Sequence, residues 1–187
     1  MFTPANQLTL LRMLLIPAFV ILVVYGYFGW ALVVFATAGI TDGLDGLIAR
    51  LSGQQTSLGA WIDPMADKLL LVTTFVVLTW PGLGLANRLP VWLTVCIISR
   101  DVVIVLTVAI VNLAIGRRTF RPSIFGKIAT ATYIVTAVVV MLFNYLGYHS
   151  RLVDLLVWVS LAITIVSALH YIWHAARIIE TPPQGVV

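Results

Sequence analysis

The sequence predicts an all-α membrane protein with six transmembrane helices and a short interfacial segment near its N-terminus. Three observations lead to this fold class. Of the 187 residues, 61% are apolar and 10% are charged, whereas soluble domains have about 25% charged residues. The apolar residues form runs of about 20, the length of a helix that crosses a bilayer. Turn residues and most basic residues lie in short stretches between these runs.

The polar stretches are too short to build a soluble core of their own. We therefore expect residues 1–187 to form a single integral-membrane domain, with a disordered tail from about residue 180. The net charge of +4 suits anionic lipid headgroups and phosphate-bearing substrates. Nucleic acid is not expected as a partner, because the basic residues are dispersed among short loops. A single cysteine, Cys96, excludes an intrachain disulfide bond.

The helices follow from the apolar runs and their boundaries. Thr3 as N-cap and Pro4 at the first helical position predict a helix start. This start leads through an interfacial stretch into a first span rather than a cleaved signal peptide, because no basic residue precedes Arg12. The six spans are predicted at roughly Leu10–Phe28, Trp30–Arg50, Gly59–Trp80, Pro90–Ile115, Ile124–Leu146 and Leu152–Ile172 or a turn beyond, with a turn at Pro81–Gly84.

The basic residues predict the orientation. Six spans place both termini on one side of the membrane, and cytoplasmic loops carry an excess of Lys and Arg. The opposite loops hold only Arg88 and Arg151. The termini and the connections on their side hold eight basic residues: Arg12, Arg50, Lys68, Arg117, Arg118, Arg121, Lys127 and Arg177. We therefore expect the termini to face the cytoplasm, most simply across a bacterial inner membrane.

A cluster of carboxylates is the strongest candidate site. The chain has seven acidic residues, and four of them lie within one stretch: Asp42, Asp45, Asp63 and Asp67. Asp42 and Asp45 form one pair and Asp63 and Asp67 the other, and each pair has a spacing that places both members on one face of a helix. Carboxylates at membrane-spanning helices are costly unless a cation holds them, and only Arg50 and Lys68 are near in sequence. A hard divalent cation such as Mg²⁺, Mn²⁺ or Ca²⁺ suits oxygen ligands. A structural ion-pair cluster and a proton relay are the alternatives.

The same stretch carries a resemblance to a known family. The pattern Asp42-x-x-Asp45-Gly46-x-x-Ala49-Arg50, then eight residues, then Gly59-x-x-x-Asp63-x-x-x-Asp67 resembles the signature of the CDP-alcohol phosphatidyltransferases at every fixed position. The resemblance implies phospholipid biosynthesis, in which a phosphatidyl group passes from CDP-diacylglycerol to an alcohol and CMP is released. It also implies two Mg²⁺ or Mn²⁺ ions, held by Asp42, Asp45, Asp63 and Asp67, with Asp67 also acting as general base. We expect a homodimer.

The small residues of the motif are expected to bind the donor. Gly46, Ala49 and Gly59 lack bulk, so the nucleotide can lie against the helix backbones, although small residues also serve helix packing in membranes. Arg50 is expected to bind a phosphate group through its planar guanidinium. Its alternative role is that of a topology anchor at the interface.

A second basic group is expected to bind the acceptor. Basic residues cluster in the segment RRTFRPSIFGK, and its Ser123-x-x-Gly126-Lys127 part resembles the corresponding segment of the glycerol-type branch of the family. Mid-span Arg100, next to Asp101, is expected to face a polar cavity because an isolated charge there is costly. The acceptor residues we predict are Arg100, Arg118, Arg121, Ser123 and Lys127. For Arg117 and Arg118, ordinary positive-inside charge is the alternative.

The branch of the family decides the acceptor. The segments TPANQLTLLRMLLIPAF and IDPMADKLL resemble both phosphatidylglycerophosphate synthases and CMP-forming cardiolipin synthases. The run Ile98-Ser99-Arg100-Asp101 is more similar to the cardiolipin branch, which favours phosphatidylglycerol as acceptor over glycerol 3-phosphate. Tyr133 stands where both branches commonly have glutamine.

Two alternative interpretations, a metal site at two histidines and a transporter, are weaker. His170 and His174 have a spacing that can bind metal, but Tyr171 and Trp173 beside them indicate an aromatic belt at a membrane interface. A small ion or proton transporter would need carboxylates distributed through the depth of the bilayer. Here they are concentrated at one end of two helices, which favours an enzyme.

Overall fold

The computed structural model describes residues 4–52, 57–115 and 123–180, and these residues form helices without any strand. In chain order the helices are α1 (Pro4–Val24), α2 (Phe28–Ser52), α3 (Ser57–Thr79), α4 (Val91–Ile115), α5 (Ile124–Leu146) and α6 (Arg151–Glu180). A short 3₁₀ turn at Pro81–Leu83 separates α3 from α4. The prediction of an all-α chain with six long helices is therefore confirmed for the described residues.

The helix boundaries agree with the sequence within a few residues at most ends. Helix α1 begins at Pro4, where proline costs no hydrogen bond because the first N–H of a helix has no partner within it. It runs without a break through the predicted interfacial stretch, so that stretch and the first span are one helix. Helix α6 continues to Glu180, about two turns beyond the predicted end. The predicted disordered tail and Thr3 lie outside the described residues.

Within the described ranges, three helices are long and apolar enough to cross a membrane. These candidate spans are Val91–Ile110, Ile124–Leu146 and Arg151–His174. Shorter apolar stretches occupy Leu10–Val24, Phe28–Thr41 and Lys68–Thr79 within the part of the chain that is described. Many large apolar side chains on these helices are exposed, including Leu14, Leu113 and Leu169. Such surfaces are typical of helices that face lipid, and the crossing of all six helices stays a prediction.

The chain divides into two compact units. Unit 1 comprises Met1–Leu89 and Ala137–Val153, and unit 2 comprises Pro90–Thr136 and Asp154–Val187. In unit 1, α1 packs against both α2 and α3. Phe19 of α1 and Phe35 of α2 are buried with their ring centroids 6.0 Å apart. Helix α1 thus forms the support on which the two aspartate-bearing helices rest.

A clasp of two asparagines closes unit 1 at the end of α3 that is remote from its aspartates. The Asn87 backbone N–H donates to Asn144 Oδ1 at 2.8 Å, and Asn144 Nδ2 donates to the Asn87 carbonyl oxygen at 3.0 Å. The Asn87 side chain donates to the carbonyl oxygen of Tyr148 and accepts from the N–H of Ser150. We call this set the asparagine clasp. The clasp provides hydrogen-bond partners for the polar groups of a buried connection, because buried backbone groups without a partner destabilise a fold.

Unit 2 contains a row of buried hydroxyl groups where α5 faces α6. The hydroxyl oxygens of Tyr133 and Thr164 lie 2.6 Å apart, and those of Thr136 and Ser160 lie 2.9 Å apart. Thr164 also donates to the carbonyl oxygen of Ser160, so the Tyr133 hydroxyl is the donor to Thr164. Tyr133 therefore serves the packing of α5 on α6 within unit 2.

Candidate functional site

The four aspartates lie on helices at matching distances from the α2–α3 connection. Asp45 precedes the end of α2 by seven residues, and Asp63 follows the start of α3 by six. At 1.5 Å per residue these separations are about 10 Å and about 9 Å. Asp42 and Asp67 each lie about one turn further along their helices. The backbone thus supports the predicted concentration of carboxylates at one end of two helices, while the aspartate side chains lie outside the described residues.

Arg12 is a buried cation at the same level, and the sequence reasoning missed it. Its side chain is 0% exposed, the largest of the fully buried side chains. Arg12 lies about 18 Å along α1 from Val24, and Asp42 lies about 21 Å along α2 from Phe28. Because α1 packs against α2 across a turn of three residues, these positions are close in depth. A buried guanidinium needs negative charge or acceptors around it. The sequence predicts only that Arg12 contributes to the orientation of the chain in the membrane, and it predicts no role for Arg12 in the site.

The donor-site residues of the prediction are placed by the backbone alone. Gly46, Ala49 and Arg50 lie in the last two turns of α2, and Gly59 lies in the first turn of α3. Gly46 and Ala49 are three residues apart, so they share a face of α2 with Asp42 and Asp45. The side chains of Ala49 and Arg50 lie outside the described residues, so their contacts with a nucleotide stay a prediction.

In unit 2, three helices meet around Arg100. The Arg100 side chain is 9% exposed; its Nη1 donates to Asp101 Oδ1 at 2.7 Å and its Nη2 to Ser167 Oγ at 2.6 Å. A Cβ atom on Gly126 would lie 3.3 Å from Arg100 Nη2 and 3.2 Å from Ser123 Oγ. We call Arg100, Asp101, Ser123, Gly126 and Ser167 the Arg100 cluster. It contains two of the five predicted acceptor residues.

The remaining acceptor residues divide between the described and undescribed parts of the chain. Lys127 directly follows Gly126 and is exposed. Arg118 and Arg121 lie outside the described residues, as does Arg117. Ser123 has a structural task of its own, since its Oγ accepts the N–H of Gly126 at 3.0 Å and so caps the start of α5. In that bond the hydroxyl is the acceptor, so it keeps its proton to donate.

The histidines on α6 pack among aromatic rings. The His170 ring centroid lies 4.7 Å from that of Phe125 and 6.3 Å from that of Trp173. His170 and His174 are stacked with an interplanar angle of 8°. Among the described side chains, no group of three or more His, Cys, Asp or Glu residues could hold a metal ion. These contacts fit the predicted aromatic belt.

A separate apolar groove lies at the α1–α2 turn of unit 1. It has a volume of about 580 Å³, and its lining includes Tyr27, Trp30, Leu142 and Tyr145. No carboxylate or amine contributes to this lining. It lies at the end of α2 that is remote from Asp42 and Asp45. The groove is therefore an apolar feature of unit 1 that lies apart from the acidic motif.

Comparisons with known proteins identify similar sequences. A family model described as CDP-alcohol phosphatidyltransferase matches residues 2–166. A "Probable phosphatidylglycerophosphate synthase" of Mycobacterium tuberculosis is 40% identical over 130 residues, which are 65% of this chain and 57% of that protein.

Two proteins named "Cardiolipin synthase (CMP-forming)" are also similar. The one from Homo sapiens is 31% identical over 192 residues, covering 94% of this chain and 62% of that protein. The one from Streptomyces coelicolor is 32% identical over 165 residues, covering 83% of this chain and 73% of that protein. The match thus spans 57% of the mycobacterial relative and 62% of the human one.

Proposed function

Because the chain belongs to the CDP-alcohol phosphatidyltransferase family, we propose that it transfers the phosphatidyl group from CDP-diacylglycerol to a glycerol-type alcohol and releases CMP. The observation that carries this proposal is the placement of four aspartates of the family motif at matching levels of α2 and α3. Both helices pack on α1, which brings a buried arginine to a similar depth.

A divalent metal fits the residues present. Carboxylate oxygens are the ligands that Mg²⁺ and Mn²⁺ prefer, and four carboxylates on two helices exceed the positive charge that Arg12 can supply. Asp42, Asp45, Asp63 and Asp67 would hold two ions. When bound, the metal supplies charge neutralisation for the pyrophosphate and for the departing CMP.

The residues of the chain divide the remaining work. Asp67 accepts the proton of the acceptor hydroxyl, a task that requires a carboxylate within hydrogen-bonding reach of that hydroxyl. Arg50 binds a phosphate of the donor, and the small residues Gly46, Ala49 and Gly59 leave room for the nucleotide. The phosphate group of the acceptor is bound by Arg100, Ser123 and Lys127, with Arg118 and Arg121.

We propose phosphatidylglycerol as the acceptor, which makes the product cardiolipin. The support is the Ile98–Asp101 sequence and the similarity to two cardiolipin synthases over 94% and 83% of this chain. Glycerol 3-phosphate is the second candidate, since the mycobacterial phosphatidylglycerophosphate synthase has the higher identity of 40%. Both acceptors carry a glycerol hydroxyl and a phosphate group, so the same basic residues suit either.

The acceptor is tested with purified protein, CDP-diacylglycerol and each alcohol in turn. We expect CMP release with phosphatidylglycerol and formation of cardiolipin. Formation of phosphatidylglycerophosphate from glycerol 3-phosphate alone would select the second candidate. If neither alcohol yields CMP, the proposed transferase activity is wrong.

The proposed activity places the site at the cytoplasmic face. In this proposal the whole chain, residues 1–187, forms one domain with six spans, dimerises and exposes both termini to the cytoplasm. Cysteine labelling tests the orientation after Cys96 is replaced. A cysteine at Gln54 should react from the cytoplasmic side, and one at the exposed Ala86 from the opposite side. The neighbouring Asn87 is unsuitable for labelling because it is 1% exposed within the asparagine clasp. Labelling of the two cysteines from the reverse sides would overturn the topology.

A further inference from the structure

Two side chains fix the direction of the Arg100 guanidinium. Asp101 accepts from Nη1 at 2.7 Å and Ser167 accepts from Nη2 at 2.6 Å. A guanidinium is planar and carries five N–H donors in fixed directions, so two bonds to different nitrogens determine its plane. Asp101 lies on the same helix as Arg100, whereas Ser167 lies on α6. Ser167 is therefore the contact that ties the cation to a neighbouring helix.

This arrangement leaves the Nε donor of the guanidinium unused by the described residues, and Nη2 carries a second N–H beside the one it donates to Ser167. The Arg100 Nε atom is buried and has no hydrogen-bond partner among the residues that the structure describes. Nε and Nη2 lie on the same edge of the guanidinium plane, which is the edge that binds two oxygens of a phosphate or carboxylate. A buried donor without a partner is rare in folded proteins and calls for an explanation. A ligand with anionic oxygens provides that explanation.

The surroundings of Arg100 suit such a ligand. Gly126 allows the start of α5 to approach Arg100 closely, because a Cβ there would lie 3.3 Å from Arg100 Nη2 and 3.2 Å from Ser123 Oγ. The same segment begins α5, whose positive end favours anions. Lys127 next to it is exposed and adds a second cation. The positive end of α5 and the Lys127 side chain thus both favour negative charge at this end of the helix.

Ser160 is a buried serine on α6 whose hydrogen-bond partner is uncharged, so it is a matched comparison for Ser167. Ser160 and Ser167 are both 0% exposed, and they lie seven residues apart on one face of α6. Ser160 shares a hydrogen bond with the neutral Thr136 hydroxyl at 2.9 Å. The two serines are matched in burial, helix and volume, and they differ in the charge of the partner.

We propose that Ser167 is a positioning residue that directs the Nε and Nη2 edge of Arg100 toward the phosphate of the acceptor alcohol. This inference rests on the proposed transferase function and adds to it a residue outside the family motif. Ser167 itself does not contact the reacting atoms. Its effect is on acceptor binding, because the phosphate of the acceptor is present in the ground state and in the transition state alike.

The test compares Ser167→Ala with Ser160→Ala in the full-length protein in detergent micelles. The varied substrate is whichever alcohol supports CMP release by the wild type, glycerol 3-phosphate or phosphatidylglycerol. We expect Ser167→Ala to raise the KM for that alcohol by about three- to tenfold, less than the loss from removing the cation itself, because the guanidinium stays in place but loses one of its two fixed contacts. Its kcat and its KM for CDP-diacylglycerol should stay within twofold of wild type. Ser160→Ala should change none of these values.

Ser167→Thr is the rescue variant, because it restores the hydroxyl acceptor for Arg100. It should return the KM for the alcohol to within about twofold of the wild-type value. Thermal unfolding of both alanine variants provides the structural control, and we expect equal midpoints because the serines are matched in burial.

Three results would overturn the inference. They are equal acceptor KM values for Ser167→Ala and Ser160→Ala, a defect confined to CDP-diacylglycerol, or a failure of Ser167→Thr to restore binding. A wild-type protein that releases no CMP with either alcohol would instead refute the proposed function, and the role of Ser167 with it. The two failures are therefore distinguishable in one set of assays.

Discussion

The asparagine clasp of unit 1 and the Arg100 cluster of unit 2 are both buried polar networks, but they differ in whether a hydrogen-bonding group stays without a partner. In the clasp, two neutral side chains bond reciprocally with backbone groups, and both side chains use their donor and acceptor functions. In the Arg100 cluster, a cation bonds two side chains and keeps a buried Nε without a partner. Both networks join parts of the chain that are far apart in sequence.

The difference indicates two kinds of task. A network whose groups are all satisfied stabilises the fold and has nothing to offer a ligand. A charged network with an unused donor costs stability in the absence of a ligand, and binding recovers that cost. We therefore expect substitutions in the clasp to lower stability with turnover preserved. Substitutions around the charged groups should lower turnover with folding preserved.

The largest effect is expected at the acidic motif. Asp67→Asn removes the carboxylate that we propose as the general base, while the side chain keeps its size. General-base catalysis contributes about 10²- to 10⁴-fold, so kcat should fall by that factor. Steady-state CMP release measures it, and Asp154→Asn, in the first turn of α6, is the control. Wild-type kcat in Asp67→Asn would exclude this residue as the base.

A smaller loss is expected from the Arg100 cluster. Arg100→Leu removes a charge-assisted contact to the acceptor phosphate, worth about 1.5–3 kcal/mol. The kcat/KM for the alcohol should therefore fall roughly ten- to hundredfold. Arg100→Lys keeps the charge without the planar fork and should recover only part of this loss. Full recovery by lysine would show that charge alone matters and that the Nε edge has no special role.

The clasp should respond in the opposite way. Asn144→Ala leaves the N–H and the carbonyl oxygen of Asn87 without their partners. Each unsatisfied buried group costs about 1–3 kcal/mol, so the free energy of unfolding should fall by at least that amount. Unfolding in detergent measures the loss, and kcat/KM per folded molecule should stay near wild type. A variant with normal stability and impaired turnover would break the distinction between the two networks.

The smallest effect is expected at Gly126. In Gly126→Ala the new Cβ would lie 3.2 Å from Ser123 Oγ and 3.3 Å from Arg100 Nη2, so one of these groups must shift by a few tenths of an ångström. We expect the KM for the alcohol to rise about two- to fivefold, a change below about 1 kcal/mol. Gly39→Ala on α2 is the control, because its Cβ would meet nothing within 4 Å. Equal KM values in the two variants would show that the space at Gly126 is not used.

Local sequence patterns predicted the helices well because their causes are local. Proline at the start of α1, the apolar run of α5 and the glycine turns each act within a few residues. The predicted limits of Ile124–Leu146 coincide with those of α5. The full extension of α6 to Glu180 was not predicted, since His174, Arg177 and Glu180 interrupt the apolar run in its last turns.

The side-chain networks could not be predicted in the same way. Ser167 lies 67 residues from Arg100, and Asn144 lies 57 residues from Asn87. No periodicity links residues at such separations, because their pairing depends on how whole helices pack. The acidic motif was found because its spacing is fixed within two consecutive helices. Arg12 was missed since its burial follows from the packing of α1 on its neighbours.

The central claim is that Asp42, Asp45, Asp63 and Asp67 form a metal-dependent site for CDP-diacylglycerol. The most direct measurement follows CMP release by the purified protein in excess EDTA and again after Mg²⁺ or Mn²⁺ is restored, in wild type and in Asp63→Asn. We predict that chelation abolishes wild-type activity and that either metal restores it. Asp63→Asn should stay inactive at metal concentrations that saturate the wild type, while still inserting into the membrane. Full activity in EDTA, or a fully active Asp63→Asn variant, would contradict the claim.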